Sequence, residues 1–313
     1  MSAERDERRR LAEHATERLT SSIDVLLGDR LVLAEGEKAD YFSDGVVVDA
    51  FWLTERCARR LAHPPQDFLE STATARRRLG LFVLRELAAR PWSPGTPSSD
   101  GLADAVQRVI EEQLDWPNNL RMWVGDLDRA GTAALVAAVT TWCDGALRLV
   151  GRDPRIVWAD PARAPAWNVP GRVVQLRATL DAVMGGVVSG ERLLSISDAA
   201  PRPSDRLRAG YLALVRSLGT RHAPVRITTG APSTGTRTAV VVDEALLDLT
   251  VDRVLEVVQV RADPDGAPAA PGRDCTWCHL LEDCAEGRTH LGADPSTDPT
   301  VRAHDDQESG GPR

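Results

Sequence analysis

The sequence predicts an α/β protein in which helices flank a mixed sheet. Two observations predict this class: helical patterns fill most of the first half of the chain, and from Gly171 onward short β-branched runs alternate with helical stripes. The chain has 313 residues, of which 42% are hydrophobic, so it can bury one large core or two modest ones. We therefore expect a folded, soluble protein.

The first half of the chain is predicted to be mainly helical, because apolar residues recur there at spacings of three and four. The helical ranges are 4–27, 69–87, 102–114 and 135–147. Between the first two, 31–33 and 45–50 read as strands and lead to Cys57. A Pro-, Gly- and Ser-rich run at 91–101 separates the second helix from the third, as such residues do.

The second half is predicted to supply most of the sheet. Its β-branched runs are 172–180, 193–197, 225–229 and 238–242. Helical stripes follow the second run at 207–218 and the fourth at 246–258. The order strand, strand, helix, strand, strand, helix implies a mixed sheet with helices packed on it.

Charge and hydropathy exclude some classes of function. The formal net charge of −8 argues against a protein that coats nucleic acid by bulk electrostatics, although a local basic channel is compatible with it. Lys38 is the only lysine, so chemistry that needs a lysine elsewhere is excluded. No run of eighteen apolar residues occurs, and the first ten residues are charged with no apolar run behind them. We expect no membrane segment and a cytoplasmic location.

Three cysteines near the C-terminus form the pattern C-x2-C-x5-C at Cys275, Cys278 and Cys284. A two-residue gap lets two thiolates converge on one metal from a tight turn, so the pattern indicates a metal site. Disulfides are the poorer interpretation in an intracellular protein. Three thiolates leave a closed site one ligand short.

The fourth ligand has four candidates: Cys57, Cys143, His279 and His290. Cys143 lies inside an apolar helical pattern, where a buried and inert thiol is the usual outcome. Cys57 lies among polar residues and is the better ligand.

The cysteine pattern resembles that of the RecB-like nucleases of the PD-(D/E)XK superfamily, including its AddB and CRISPR-adaptation branches. Cys57 followed by Arg59 and Arg60, and the Pro-Gly pair that leads into Cys275, match the two halves of the family's motif. The resemblance implies a restriction-endonuclease-like fold with a helical insertion, stapled by a [4Fe-4S] cluster on Cys57, Cys275, Cys278 and Cys284. Zinc is the alternative, because sites made of thiolates suit both metals.

The resemblance also implies a divalent-metal site for Mg²⁺ or Mn²⁺, of which one residue is kept. Asp181 matches the family's first aspartate. Ser195 and Ser197 occupy the next strand's acidic and lysine positions, and Leu84 and Leu207 occupy the histidine and glutamine positions. Carboxylates and lysine would position the metal and offset charge on the phosphate. We therefore expect a degenerate catalytic centre.

Two neighbouring carboxylates could replace the lost ones. Asp198 would face away from Ser195 and Ser197 unless the strand bulges or ends early, because strand side chains alternate. Glu191 lies in the hairpin 185–191 and would reach the site only if the turn folds back. Asp181 itself is either a solvated or capping carboxylate at a strand end or a residual metal ligand.

Four arginines are candidates for contact with DNA phosphates: Arg59, Arg60, Arg206 and Arg208. The alternative for each is plain surface charge.

Three functions follow from these observations. The first is a degenerate nuclease-family protein with a DNA-binding or accessory role in DNA processing or repair, with a possible protein partner. The second is an active exonuclease built on Asp181, Asp198 and Glu191. The third is a protein-interaction module closed by a cluster or by zinc.

The resemblance divides the chain into four parts. They are an N-terminal helical arm at 1–36, the first part of the nuclease-like domain with its helical insertion at 37–170, the core with the cysteines at 171–289, and a tail at 290–313. The tail is acidic and almost devoid of apolar residues, which predicts disorder.

Overall fold

The computed structural model of the chain describes residues 2–33, 45–64, 70–89, 99–113, 116–150, 156–160, 165–186, 190–203 and 205–292. The chain divides into two compact units. Unit 1 comprises Met1–Thr54 and Asp67–Gln259, and unit 2 comprises Glu55–Gln66 and Val260–Arg313. The predicted disordered tail lies outside the described residues from position 293 onward, and so does Lys38.

The long helices form where the apolar spacing predicts them. Over the described residues they are α1 (Ser2–Leu27), α2 (Ala58–Ala62), α3 (Thr72–Ala89), α4 (Ser99–Glu112), α5 (Asn118–Gly125), α6 (Arg129–Val150), α7 (Asp205–Thr220), α8 (Glu244–Ala262) and α9 (Ala285–His290). In α1 the four-residue spacing puts Ala15, Leu19 and Ile23 on one fully buried face. The six long helices expected from the sequence are confirmed, with ends that shift by a few residues.

The strands of unit 1 form two mixed sheets. They are β1 (Val46–Asp49), β2 (Ile156–Trp158), β3 (Ala166–Asn168), β4 (Val174–Arg177), β5 (Ala182–Met184), β6 (Arg192–Ile196), β7 (Arg226–Ala231) and β8 (Thr236–Val241). One sheet has the order β1-β4-β3, with β1 parallel to β4. The other has the order β2-β5-β6-β7-β8, with β6 parallel to β7 and its other pairs antiparallel. The mixed α/β class is confirmed.

Two strand predictions are wrong. The segment 31–33 makes a single bridge, from Val32 to Arg172, because the chain turns there and Leu31 has a φ of 52°. The predicted strand 172–180 ends at Arg177, where the chain leaves the first sheet and enters the second as β5. Asp181 therefore lies at the start of β5 rather than at the end of one long strand.

A large core of unit 1 lies between α3, α4, α6 and the five-stranded sheet. Leu79, Val83, Val106 and Val139 are fully buried in it, and α3 and α4 both pack on α6. Among the described helices, α6 has the length and composition that a membrane span would need. This helix packs on α3 and α4 in the core of unit 1.

Candidate functional site

The segment around Cys57 is fixed by the buried carboxylate of Glu55. Its Oε1 accepts the backbone N–H groups of Arg56 and Cys57, both at 2.9 Å, and its Oε2 lies 2.8 Å from Arg60 Nη1. Cys57 is the N-cap residue of α2. One carboxylate thus holds the backbone of Cys57 and occupies the guanidinium group of Arg60.

Within unit 2 this segment is bonded to the C-terminal segment. The backbone N–H of Ala270 donates to Cys57 Sγ at 3.5 Å, and the N–H of Arg59 donates to Pro268 O at 3.2 Å. His279 Nε2 lies 2.6 Å from His63 O. His279, one of the candidates for the fourth ligand, is thus engaged with a backbone carbonyl.

The three C-terminal cysteines lie on tight turns. Residues Arg273–Trp277 form a 3-10 turn in which the Gly272 N–H donates to Cys275 Sγ at 3.3 Å, and the Cys278 N–H donates to Cys275 O at 3.1 Å. Cys284 is the N-cap of α9, and its Sγ accepts the Gly287 N–H at 3.3 Å. The bonds around Cys275 and Cys278 follow from the tight turn that the two-residue gap allows, and the bond to Cys284 follows from its position at the start of α9.

Three of the four sulfurs of the predicted ligand set accept a backbone N–H. The donors are Ala270, Gly272 and Gly287. Hydrogen bonds to sulfur stabilise thiolates and are a regular feature of cysteine-ligated metal sites. The chemistry of this donor set therefore fits a cysteine-bound group.

All five cysteines are free thiols in the structure. Among the residues that the structure describes, no three cysteine sulfurs lie within 4.8 Å of one another. Tetrahedral zinc with Zn–S bonds of about 2.3 Å needs sulfurs about 3.8 Å apart. The sulfurs would have to move closer together to bind one zinc ion.

Arg59 lies beside Cys284 and is held there by a carboxylate. Its Nη1 lies 2.9 Å from Glu286 Oε2 and donates to Cys284 Sγ at 3.5 Å. The bond to Glu286 raises the pKa of Arg59. The pKa of Glu286 is lowered, first by its own backbone N–H and then by Arg59. Arg59 and Arg60 thus both make ion pairs within unit 2, and their contact with DNA stays a prediction.

The fifth cysteine behaves as a core residue. Cys143 in α6 is fully buried, and its Sγ donates to Gly80 O at 3.6 Å. Burial raises the pKa of its thiol, and the charge of Asp144 adds to the effect. The expectation of a buried thiol at this position is confirmed.

Asp181 is the most deeply buried carboxylate among the described residues. It is 0% exposed, and its Oδ2 accepts the Ile196 N–H at 2.6 Å. Its Oδ1 lies 2.7 Å from Arg77 Nη2, an ion pair that lacks the alignment of a hydrogen bond. The interpretation of Asp181 as a solvated carboxylate is therefore wrong, because β6 and α3 cover it.

The two helper carboxylates are each paired with an arginine of their own. Asp198 Oδ1 lies 2.7 Å from Arg76 Nη2, and Glu191 forms a two-bond pair with Arg216 at 2.7 and 2.8 Å. Because β6 ends at Ile196, strand alternation does not fix the direction of Asp198. Glu191 precedes β6 and Asp198 follows it, so a five-residue strand separates them. Asp181, Asp198 and Glu191 do not form a group whose ligand atoms lie within 4.8 Å.

The positions that the resemblance assigns to the lost acid, lysine, histidine and glutamine carry no acid or base. Ser195 is 4% exposed in β6, and Leu84 is 1% exposed in α3. Leu207 is half-buried in α7, as Ser197 is beyond the end of β6. Apolar side chains and a buried hydroxyl cannot supply the charge that a divalent metal requires.

Arg206 and Arg208 differ although both lie in the first turn of α7. Arg206 is exposed and Arg208 is half-buried. Burial lowers the pKa of Arg208, and the neighbouring charge of Arg77 lowers it further. Arg206 fits the surface-charge interpretation, whereas the side chain of Arg208 is partly shielded from solvent.

The sequence reasoning did not single out the residues that neutralise these carboxylates. Arg76, Arg77 and Arg216 each pair with one of these carboxylates at 2.7 Å. Glu55, which was not singled out either, pairs with Arg60 at 2.8 Å. The sequence did carry one signal for these ion pairs. Arg76, Arg77 and Arg78 follow one another in a helix with an apolar face, and cations close to such a face need anionic partners.

One further group of possible metal ligands lies on the surface of unit 1. Ligand atoms of His14, Glu244 and Asp248 lie within 4.8 Å of one another, and His14 Nε2 is 3.1 Å from Asp248 Oδ1. The same Oδ1 lies 3.4 Å from Arg18 Nη1. A cation is thus already present at this carboxylate, and the group is explained as a surface ion-pair network.

No protein-family model matches the chain, and no curated protein matches it. The candidate site therefore rests on its residues and their geometry.

Proposed function

We propose that this chain is a catalytically degenerate RecB-like protein of the PD-(D/E)XK nuclease family, with a restriction-endonuclease-like fold. In this proposal Cys57, Cys275, Cys278 and Cys284 hold a [4Fe-4S] cluster, and the protein has a DNA-binding or accessory role in DNA processing or repair. Four thiolates leave no open coordination position, so the cluster would tie two distant chain segments together. A cytoplasmic location accords with five free thiols.

The observation that carries the proposal is the composition of unit 2. It brings the short Cys57 segment and the C-terminal cysteine segment into one compact body, joined by the bond from Ala270 to Cys57 Sγ and by the contact of Arg59 with Cys284. The twelve residues Glu55–Gln66 belong to unit 2 although the chain on both sides of them belongs to unit 1. Contacts with the C-terminal segment explain this assignment.

The loss of catalysis is supported by the way the carboxylates are paired. Asp181, Asp198 and Glu191 are each neutralised by a different arginine. A nuclease metal ion needs two or more carboxylates free to face one point. Here each negative charge already has a fixed positive partner, which favours a structural role over the alternative of a rearranged active site.

The first experiment tests the cluster on protein purified without oxygen. We expect a brown sample with a broad visible absorption band and about four iron and four sulfide per chain. Cys57→Ser should remove most of the iron, whereas the matched control Cys143→Ala, which changes the buried cysteine, should keep it. Stoichiometric zinc without iron would refute the cluster and support the zinc-closed alternative.

The second experiment tests catalysis on the same samples. We expect no cleavage of single- or double-stranded DNA with Mg²⁺ or Mn²⁺ by the wild type. Metal-dependent cleavage that is abolished by Asp181→Ala would refute the degenerate assignment. Salt-dependent binding to DNA would support the DNA role over the protein-interaction alternative, because phosphate contacts release counterions.

A further inference from the structure

Strand β8 is the last strand of the five-stranded sheet, and its outer edge has no neighbouring strand among the described residues. All six of its residues, Thr236–Val241, pair with β7 on the inner side. An edge strand presents a row of unpaired backbone N–H and C=O groups to any strand that can approach it. The free edge of β8 is therefore a surface on which one more strand can be added.

The hydrogen bonds of the β7–β8 ladder determine which backbone groups of β8 face outward. Directly after β8 the Val242 N–H donates to Val225 O at 3.0 Å, so the backbone of Val242 faces β7. Backbone groups alternate along an antiparallel ladder, so the next residue back faces the other way. The residues whose N–H and C=O groups point outward are Arg237, Ala239 and Val241. In the part of the chain that the structure describes, these outward groups have no hydrogen-bond partner.

The strand carries little of what normally protects a sheet edge. Natural proteins block such edges with proline, lysine or other charged side chains, or with a bulge. Strand β8 contains no proline or lysine, its register with β7 is unbroken, and Arg237 is its only charged residue. Five of its six residues are exposed, and Val241 is 63% exposed. Threonine and valine make up most of the strand, and both favour pairing in a sheet.

The charges at the two ends of β8 favour a second copy of the same strand as the partner. If two β8 strands pair antiparallel about Ala239, Arg237 lies diagonal to Asp243 of the second copy, within reach of a long side chain. The guanidinium group of Arg237 makes no ion pair with a described residue. Asp243 is exposed, and its Oδ1 accepts the Leu246 N–H at 2.8 Å, which leaves Oδ2 for a partner. The strand is therefore complementary in charge to an antiparallel copy of itself.

We propose that two copies of this chain pair antiparallel through β8, with a two-fold axis at Ala239, and join their five-stranded sheets into one. Ala239 then exchanges two hydrogen bonds with Ala239 of the second copy, and Arg237 does so with Val241. Two-fold pairing occupies both β8 edges, so the assembly closes at a dimer. One strand pair buries less surface than a permanent dimer needs, so the dimer is reversible. This pairing does not depend on the proposed metal site or on nucleic acid.

Sedimentation velocity of the full-length chain at rising protein concentration tests the pairing, with a reductant present so that the free thiols do not cross-link copies. We expect a reversible change from monomer to dimer that stops at twice the monomer mass. Ala239→Pro removes the central outward N–H of each copy and should weaken the dimer at least about tenfold. An edge strand tolerates proline where its nitrogen faces solvent. The matched control Ala239→Thr keeps the N–H and should dimerise like the wild type.

Charge variants test the register without changing the backbone. Arg237→Glu places a negative charge near Asp243 of the second copy and should weaken the dimer. Adding Asp243→Arg exchanges the two charges and should restore dimerisation. Within one chain the two positions are about 20 Å apart along an extended segment, so only contact between copies explains such a rescue. Asp243→Arg also removes the bond to the Leu246 N–H, which should lower Tm whether or not the chain dimerises.

Three results would overturn the proposal. A monomer at every concentration would leave the β8 edge bare or reserved for a strand of another protein. Equal dimerisation of Ala239→Pro and Ala239→Thr would place the contact elsewhere on the chain. A double charge variant that dimerises no better than Arg237→Glu would contradict the antiparallel register about Ala239. None of these results bears on the iron analysis of the cysteines or on DNA binding, so the proposed function stands or fails separately.

Discussion

The buried pair of Arg77 and Asp181 makes the sharpest prediction about stability. Arg77→Met removes the cation 2.7 Å from Oδ1 of a carboxylate that is 0% exposed. Removing one partner of a buried ion pair costs about 3–5 kcal/mol, because the other charge stays buried alone. The side chain of Arg77 is 21% exposed, so some solvent reaches the pair, and we expect the lower end, about 3 kcal/mol.

The aspartate partner should be less sensitive. Asp181→Asn keeps an oxygen for the Ile196 N–H, and the side chain of Arg77, which is 21% exposed, stays partly solvated, so the expected cost is about 1–2 kcal/mol. The double variant should lose less than the sum of the two single losses, because neither change then strands a charge. The free energy of unfolding, from urea titrations followed by circular dichroism, measures all three values.

The control is Arg148→Met in α6, which breaks an exposed pair with Asp144. The side chain of Arg148 is 70% exposed, so this change should cost less than about 0.5 kcal/mol. Equal losses for Arg77→Met and Arg148→Met would refute the argument, and so would strictly additive effects of Arg77→Met and Asp181→Asn. Either result would mean that the carboxylate finds another partner or is reached by water.

Three further predictions concern the cysteines and the core. At pH 8 native Cys143 should not react with a maleimide, because burial raises the pKa of its thiol. Cys57 should react once bound metal is removed. Fast labelling of both cysteines would contradict this prediction. Metal removal should speed amide exchange across 260–292 more than in β6, and a uniform change would count against a local staple. Gly80→Ala should lower the free energy of unfolding by about 1–3 kcal/mol, because the added Cβ would clash with the ring of Trp142. The control Gly125→Ala adds a Cβ that meets nothing within 4 Å. Similar unfolding free energies for the two variants would disprove the packing argument.

Periodicity predicted the long elements well, because a long pattern averages out local exceptions. Leu19 and Ile23 of α1 are buried as their spacing requires. The three-residue strands β2, β3 and β5 were not predicted, since three residues are too few to show alternation. The break between β4 and β5 was missed for a related reason: a β-branched run does not say which sheet each half will join.

The candidate site was predictable in part. Its cysteines stand out by spacing, and the Cys57 segment and the C-terminal segment belong to one compact unit. Metal binding by these cysteines stays a prediction. The burial of Asp181 was not predictable, because Arg77, which neutralises it, lies far away in the chain and pairs with it only through the fold. The partial burial of Arg208 was not predictable either, because Arg206 and Arg208 lie in the same turn of α7 and only the fold makes one exposed and the other half-buried.

The bond between Ala270 and Cys57 Sγ spans 213 residues of chain. On the ribosome, Cys57 therefore emerges long before any of its partners has been made. If the four cysteines take up a metal group, the group cannot be fully bound before Cys284 has been made. A product that ends before Cys275 would then leave the ribosome without the group and with an open unit 2. Bound metal would thus distinguish chains that contain both segments from chains that lack the second one, and proteases could act on that difference.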